Sequence, residues 1–227
     1  MKAPKHRWVS DLGMFAIDRP IFGIKPTATR PGAKPSCVWR TAACSDCFNN
    51  KFYGMYAEDM ANRDVENEIS WQSITGEALH GALARKHTRQ TGRFRLMTRG
   101  EAARDPSDVS KIRSICNANP DMLVWMPTRA WRSRVMRPLL EALRDECPNL
   151  RLQASTDTGT TAEEQASLER DGWSTMFFGD DDRTTTPAGT PMFQCPKTWE
   201  HEKGACATTC DDGCFSKKPT HVHLKKH

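Results

Sequence analysis

The sequence contains no long apolar run. Nothing in it approaches the roughly 20 consecutive apolar residues of a membrane-crossing helix. Its first residues lack the apolar core of a secretory signal. Neither membrane residence nor secretion is expected, and the cytoplasm is the expected compartment. Apolar residues are scarce overall: 37% of the 227 are hydrophobic, at the low end for a self-sufficient core. A chain of this length suits one domain, or one domain with a small appendage. Bound metal is one way to offset a thin core. No internal repeat, low-complexity tract, phosphate-cradling glycine loop, base-reading motif or peptide-recognition segment is visible. These absences remove the usual sequence handles on a substrate, and nothing in the sequence speaks to oligomeric state.

What the chain has is cysteine, nine in all. Without a secretory signal, clustered thiols point to metal rather than to disulfides, and an odd total leaves one thiol outside any complete pairing. Cys37, Cys44 and Cys47 fall within eleven residues, behind a Pro/Gly-rich approach. Structural zinc normally takes four protein ligands, one more than this loop offers. A [4Fe–4S] cluster held by three thiolates keeps one iron open to a substrate or cofactor. The loop therefore reads either as a zinc site completed by a His or a distant Cys, or as a cluster site whose vacancy is its function. Cys195, Cys206, Cys210 and Cys214 form a second set, enough to close a structural zinc site or a second [4Fe–4S] cluster. Cys116 and Cys147 read as buried apolar residues on helices.

Short apolar runs predict strands at 20–24, 94–98, 122–126, 150–154, 173–178 and 192–193. Between them lie helical patterns at about 51–63, 65–88, 107–116, 132–146 and 161–170. The second of these carries Ile69, Ile74, Leu79 and Leu83 on one face; the fourth carries Val135, Leu139, Leu140 and Leu143. Thr161 and Glu164 have capping-box spacing at the start of the last. This alternation predicts an α/β fold with a parallel sheet, open or partly closed into a barrel. Right-handed crossovers then gather the strand C-terminal ends on one side, where ligands bind in such folds. Polar residues recur there: Thr98 to Glu101, Thr128-Arg129, Ser155 to Asp157, and Asp180 to Asp182. The Cys37–Cys47 loop also follows a strand end, so sulfur and polar ends share one mouth.

Residues 1–18 read as a surface lead-in, 19–190 as the α/β unit, and 191–227 as a cysteine-rich extension with a basic tail. The net charge is +5. The tail, with Lys217, Lys218, Lys225, Lys226, His221, His223 and His227, is either solvated surface or a nucleic-acid contact. Plainer readings accompany the other polar residues. Glu101 suits a helix start, Arg129 suits stacking on Trp125 or Trp131, Asp180 to Asp182 suit a solvated turn, and His80 and His87 suit a helix surface.

Taken in order, several pieces resemble the radical S-adenosylmethionine (SAM) superfamily. They are Cys37…Cys44-Ser45-Asp46-Cys47-Phe48, Leu96-Met97-Thr98-Arg99-Gly100-Glu101, and Trp125-Met126-Pro127-Thr128-Arg129-Ala130-Trp131. Leu152-Gln153-Ala154-Ser155-Thr156-Asp157 and Cys195-Pro196 with Cys206, Cys210 and Cys214 follow. More narrowly, the order is similar to a group of phage-encoded radical-SAM-like proteins of unassigned substrate. The resemblance implies a partial (β/α)6 barrel with a small C-terminal metal-binding extension, in the cytoplasm of a host cell. It implies a [4Fe–4S] cluster on Cys37, Cys44 and Cys47, SAM on the open iron, and an external electron donor. Reductive cleavage of SAM would give a radical that takes hydrogen from a substrate. Gly100 and Glu101 match the segment that meets the SAM ammonium; Ser155 and Asp157 match positions near its ribose or carboxylate. Arg129 would neutralise an anionic group, and Phe48 is the aromatic residue nearest the expected adenine contact. The first spacing is six residues where three is common, and Asp46 stands where an aromatic residue is frequent. Two functions follow as expectations. One is a radical SAM enzyme acting on an unidentified substrate, with nucleic acid as a candidate class. The other is a non-catalytic, zinc-stabilised binding module for nucleic acid or a host protein.

Overall fold

The computed structural model describes residues 9–11, 14–47, 49–84, 92–199 and 213–225. Among these, eight strands form one sheet in the order β1-β2-β3-β4-β5-β6-β8-β7. They are β1 (Val9–Asp11), β2 (Met14–Ile17), β3 (Arg93–Leu96), β4 (Leu123–Thr128), β5 (Leu150–Asp157), β6 (Ser174–Gly179), β7 (Met192–Gln194) and β8 (His221–Lys225). The six-strand run from β2 to β8 is parallel throughout. The short β7 adds in parallel beyond β8, and β1 lies antiparallel on β2. β1 and β7 are the two edges and do not pair, so the sheet is open.

The helices are α1 (Asn49–Met55), α2 (Ala57–Ser73), α3 (Gly76–Ala84), α4 (Pro106–Ala118), α5 (Met136–Glu146), α6 (Ala162–Arg170) and the single turn α7 (Pro196–Trp199). Asp105 caps α4 by accepting from the Ser107 and Asp108 N–H groups, with Pro106 in the first turn where no donor is needed. Thr161 and Glu164 form the expected capping box. Strand periodicity puts Phe94, Leu96, Val124, Met126, Leu152 and Ala154 on one face. There they pack with Ile112 and Ile115 of α4, Leu140 and Leu143 of α5, and Leu168 of α6. No helix among the described residues is long and apolar enough to cross a membrane.

Several expectations need correction. Residues 20–24 are not a strand of the sheet. The backbone of Met14–Ile17 takes that place, with Phe15 opposite Phe94 and Ile17 opposite Leu96. The Pro20 carbonyl instead accepts from Ser36, and Ile24 only bridges Ala33. Residues 1–18 are accordingly more than a lead-in: β1 and β2 lie there, and Ile17 and Asp18 are buried.

The helix expected over 65–88 is broken. Ile74 is extended and α3 starts afresh at Gly76, which lies against α4. A Cβ on Gly76 would fall 2.3 Å from the Ser114 carbonyl oxygen. Ile69 is exposed, because the buried face of α2 holds Asp64, Glu68 and Trp71 and meets arginines. Val135 is exposed as well, since α5 begins one residue later.

The C-terminal segment is not a separate extension. β7 and β8 belong to the main sheet, and His221, Val222 and His223 are buried. His221 Nδ1 meets Thr175 Oγ1 at 2.9 Å. His223 faces the carbonyls of Arg183 and Gly179 and packs edge-on against Phe177 and Trp199. Residues that read as a solvated tail are interior because their ring nitrogens find partners.

Candidate functional site

The C-terminal ends of β2 to β5 come together around the loop that carries the first three cysteines. The loop is delivered by a short hairpin in which Ile24 and Ala33 exchange backbone hydrogen bonds. It is fixed at Ser36, whose Oγ donates to the Pro20 carbonyl at 2.7 Å and accepts from Glu101 N at 3.0 Å. Gly100 makes that junction fit. Its φ is +84°, and a Cβ there would come 2.6 Å from Ser36 Oγ and 2.7 Å from the Arg19 carbonyl oxygen. Trp39 Nε1 donates to the Ala103 carbonyl at 3.3 Å, pinning the next part of the loop.

Cys37, Cys44 and Cys47 are all half-buried. They lie near enough for their charges to be felt at Cys37. Burial, with Glu101, Cys44 and Cys47 as negative neighbours, pushes the Cys37 thiol up to about 12; Arg40 opposes this. Glu101 is buried beside Cys37. Its Oε2 accepts from Arg129 N at 2.9 Å and its Oε1 from Ala103 N at 3.3 Å, and the Thr128 hydroxyl also contributes. Burial still holds its carboxyl above the usual range. Among the described residues no cationic side chain forms an ion pair with Glu101. It does not stand at an exposed helix start.

Arg129 does not stack on an indole. Its guanidinium binds Asp157 and donates to Thr41 Oγ1 at 2.9 Å. Stacking falls to Arg132, 4.2 Å from the Trp131 ring centre, and to Arg95, 4.6 Å from that of Trp125. Asp157 is buried, which raises its pKa, but Arg129, Thr41 and the Gly159 N–H more than offset this and hold it below the ordinary carboxylate value. Ser155 lies on the same face of β5, and its carbonyl accepts from Trp131 Nε1 at 2.9 Å and Arg132 Nη1 at 3.1 Å. One chain of hydrogen bonds therefore links Glu101, Arg129, Asp157, Thr41 and Cys44, with Cys37 near Glu101.

Two residues here had no signal in the sequence. Thr41 is one threonine among several, and Arg132 is one arginine among many. The support beneath the site was also unannounced. Asp18 follows β2 and accepts from Arg99 N at 3.1 Å, Arg99 Nε at 3.0 Å and Arg63 Nη2 at 2.7 Å. A charged pair, Asp18-Arg19, directly after an apolar run was the available clue.

Of the remaining candidates, those that are described do not join this group. Phe48, Cys206, Cys210 and His87 lie outside the described residues. Cys195 follows β7 at the start of α7. Cys214 packs with Trp125, Phe215, Leu123 and Met176. Asp180, Asp181 and Asp182 are exposed, and Asp181 pairs with Arg183. Among the described residues no three His, Cys, Asp or Glu side chains are placed to hold a single metal ion.

The fold and site define an α/β protein with an open, largely parallel sheet and a cluster of half-buried thiols and buried carboxylates at its strand ends. Comparison with protein-family models, with curated proteins and with solved structures finds no match.

Proposed function

We propose that the mouth is the cofactor site of a radical SAM enzyme, with Cys37, Cys44 and Cys47 as ligands of a [4Fe–4S] cluster. The observation that carries this reading is Glu101. It is buried with backbone N–H and hydroxyl donors and with Arg129 as a positive neighbour that forms no ion pair with it, and a carboxylate so placed gains from a direct cationic partner. The ammonium of an amino-acid moiety is such a partner, and Cys37 beside it would bring the open iron within reach. The donor set also fits. Each cluster thiolate holds a different iron, so the three stand farther apart than the ligands of one ion. Three half-buried thiols on one loop are the number such a cluster takes when one iron stays open.

The partly closed barrel expected from the resemblance belongs to this proposal, beyond the open sheet described above. When bound, the cluster supplies the electron for reductive cleavage of SAM and so starts radical chemistry on a second substrate. The protein's own residues hold and orient. Glu101 anchors the ammonium, while Gly100 lets the Glu101 backbone approach Ser36. Asp157 and Ser155 offer acceptors on the floor of the mouth, and Arg129 keeps Asp157 ionised. Cys195, Cys206, Cys210 and Cys214 are proposed as a second metal site, for zinc or another [4Fe–4S] cluster. An external electron donor is required, and nucleic acid is a candidate substrate class on the strength of the net positive charge.

Anaerobic reconstitution with iron and sulfide tests the reading. The expected result is a brown protein with iron and sulfide in equal amounts that cleaves SAM under reductant. Cys44→Ala should lose both the first-site iron and the cleavage. A colourless, zinc-binding protein that leaves SAM intact, or a Cys44→Ala variant of full activity, overturns it in favour of a metal-stabilised binding module.

A further inference from the structure

Six residues separate Cys37 from Cys44, and the fold makes use of one of them. Thr41 Oγ1 donates to Asp157 Oδ2 at 2.8 Å and accepts from Arg129 Nη1 at 2.9 Å. The backbone N–H of the same residue donates to Cys44 Sγ at 3.4 Å, and its hydroxyl oxygen lies 3.8 Å from that sulfur. The 3-10 turn Ala42–Asp46 is held locally, by Arg40 and Asn50 on the Cys44 carbonyl and by Ser45 on the Ala42 carbonyl. Thr41 connects that turn to the C-terminal ends of β4 and β5. A turn with only local bonds keeps its shape but not its place; a side chain bonded to two strands fixes its place.

We infer that Thr41 is a positioning residue, a latch that holds the Cys44 sulfur toward the strand ends through Asp157 and Arg129. This positioning role stands on the protein's own contacts, whether or not the sulfur carries a metal. Thr41→Val keeps the size and the N–H but removes the hydroxyl that joins the strands. Thr41→Ser keeps the hydroxyl.

The test uses the metal-free protein under reducing, anaerobic conditions, pulsed with iodoacetamide and read by peptide mass spectrometry, with buried Cys116 as internal reference. Loss of the latch should let Cys44 label on the order of five-fold faster in Thr41→Val, the change worth one ordinary hydrogen bond. Thr41→Ser should label at the wild-type rate. Cys44 labelling unchanged in Thr41→Val overturns the latch. If Cys116 labels faster too, the variant is unfolding. Asp157→Ala then decides, with accelerated Cys44 labelling expected and unchanged labelling overturning. Failure of the wild type to take up iron sinks the cluster reading and leaves the labelling result to judge the latch.

Discussion

Arg19 and Glu68 meet inside the protein, Nε to Oε2 at 2.9 Å and Nη2 to Oε1 at 3.0 Å. Arg19 also reaches Asp108 Oδ2 at 2.9 Å and the carbonyls of Glu101 and Ala102, and it lies over the Trp71 ring. The side chain is wholly buried. It therefore joins α2 and α4 to the turn that carries Gly100 and Glu101. A guanidinium taken out of water is tolerable only because its donors are satisfied this way.

Removing one partner should be severe. Glu68→Ala is expected to cost about 3–5 kcal/mol of unfolding free energy, because it leaves Arg19 buried and undercompensated. Chemical denaturation measures this. Burial raises the Glu68 pKa, but Arg19 and its other partners more than offset that, so the folded value lies below the usual one. The pair's stabilisation is thus present above the unfolded-state pKa and lost as pH falls through the depressed folded value. Glu68→Gln should flatten the acid limb of the wild-type stability curve. A loss within experimental error for Glu68→Ala would mean that water reaches Arg19.

Gly100→Ala should destabilise by about 1–3 kcal/mol from the left-handed backbone alone. The close approach of Ser36 Oγ and the Arg19 carbonyl adds to this. Because the junction places both Glu101 and the cysteine loop, the variant should also take up less iron on reconstitution. A wild-type melting temperature would show that the turn relaxes freely.

Asp64 offers a pH test of the opposite sign. Burial pushes its carboxyl up to about 7, although Arg99 Nη2 at 2.9 Å pulls the other way. The folded state then binds this proton more tightly than the unfolded chain does. The associated stability is complete at low pH and is lost as pH rises through 7. Asp64 should add a declining component to the wild-type melting temperature between about pH 4 and pH 7, and Asp64→Asn should remove that component. Identical slopes in the two proteins would remove Asp64 as the cause.

Deleting residues 221–227 should abolish cooperative unfolding. β8 stands between β6 and β7, and His223 occupies a fully buried place against Phe177 and Trp199. Without it, β6 becomes an exposed edge, which promotes aggregation. Circular dichroism melts and light scattering give the readout. A soluble, cooperatively melting truncation would return the segment to the status of a tail.

Much of the sheet was legible in the sequence because its interior strands are apolar runs bounded by turn residues. Leu123–Thr128 and Leu150–Asp157 could hardly be anything else. β8 was illegible for the same reason inverted. His-Val-His-Leu-Lys carries no apolar run, and only neighbouring carbonyls and a threonine hydroxyl make its histidines interior residues. The break in the helix after Ser73 carried a local signal that the periodicity overrode: Thr75 Oγ1 accepts from Ala78 N and caps α3. Among the candidate site residues, Cys37, Cys44, Glu101, Arg129 and Asp157 were marked by type and by their place after strands. That Arg129 binds Asp157, 28 residues on, and that Thr41 sits between them, 88 and 116 residues from its two partners, depended on contacts no local pattern spells out.

The sequence by itself determined the alternation of strands and helices, and with it the end of the sheet at which thiols and carboxylates gather. Periodicity and turn chemistry act over a few residues and are written locally. Tertiary structure alone decided which charges are buried and which partner each receives, down to a Glu101 held by backbone N–H groups. Burial and pairing are properties of surfaces brought together from distant parts of the chain, and no local pattern encodes them.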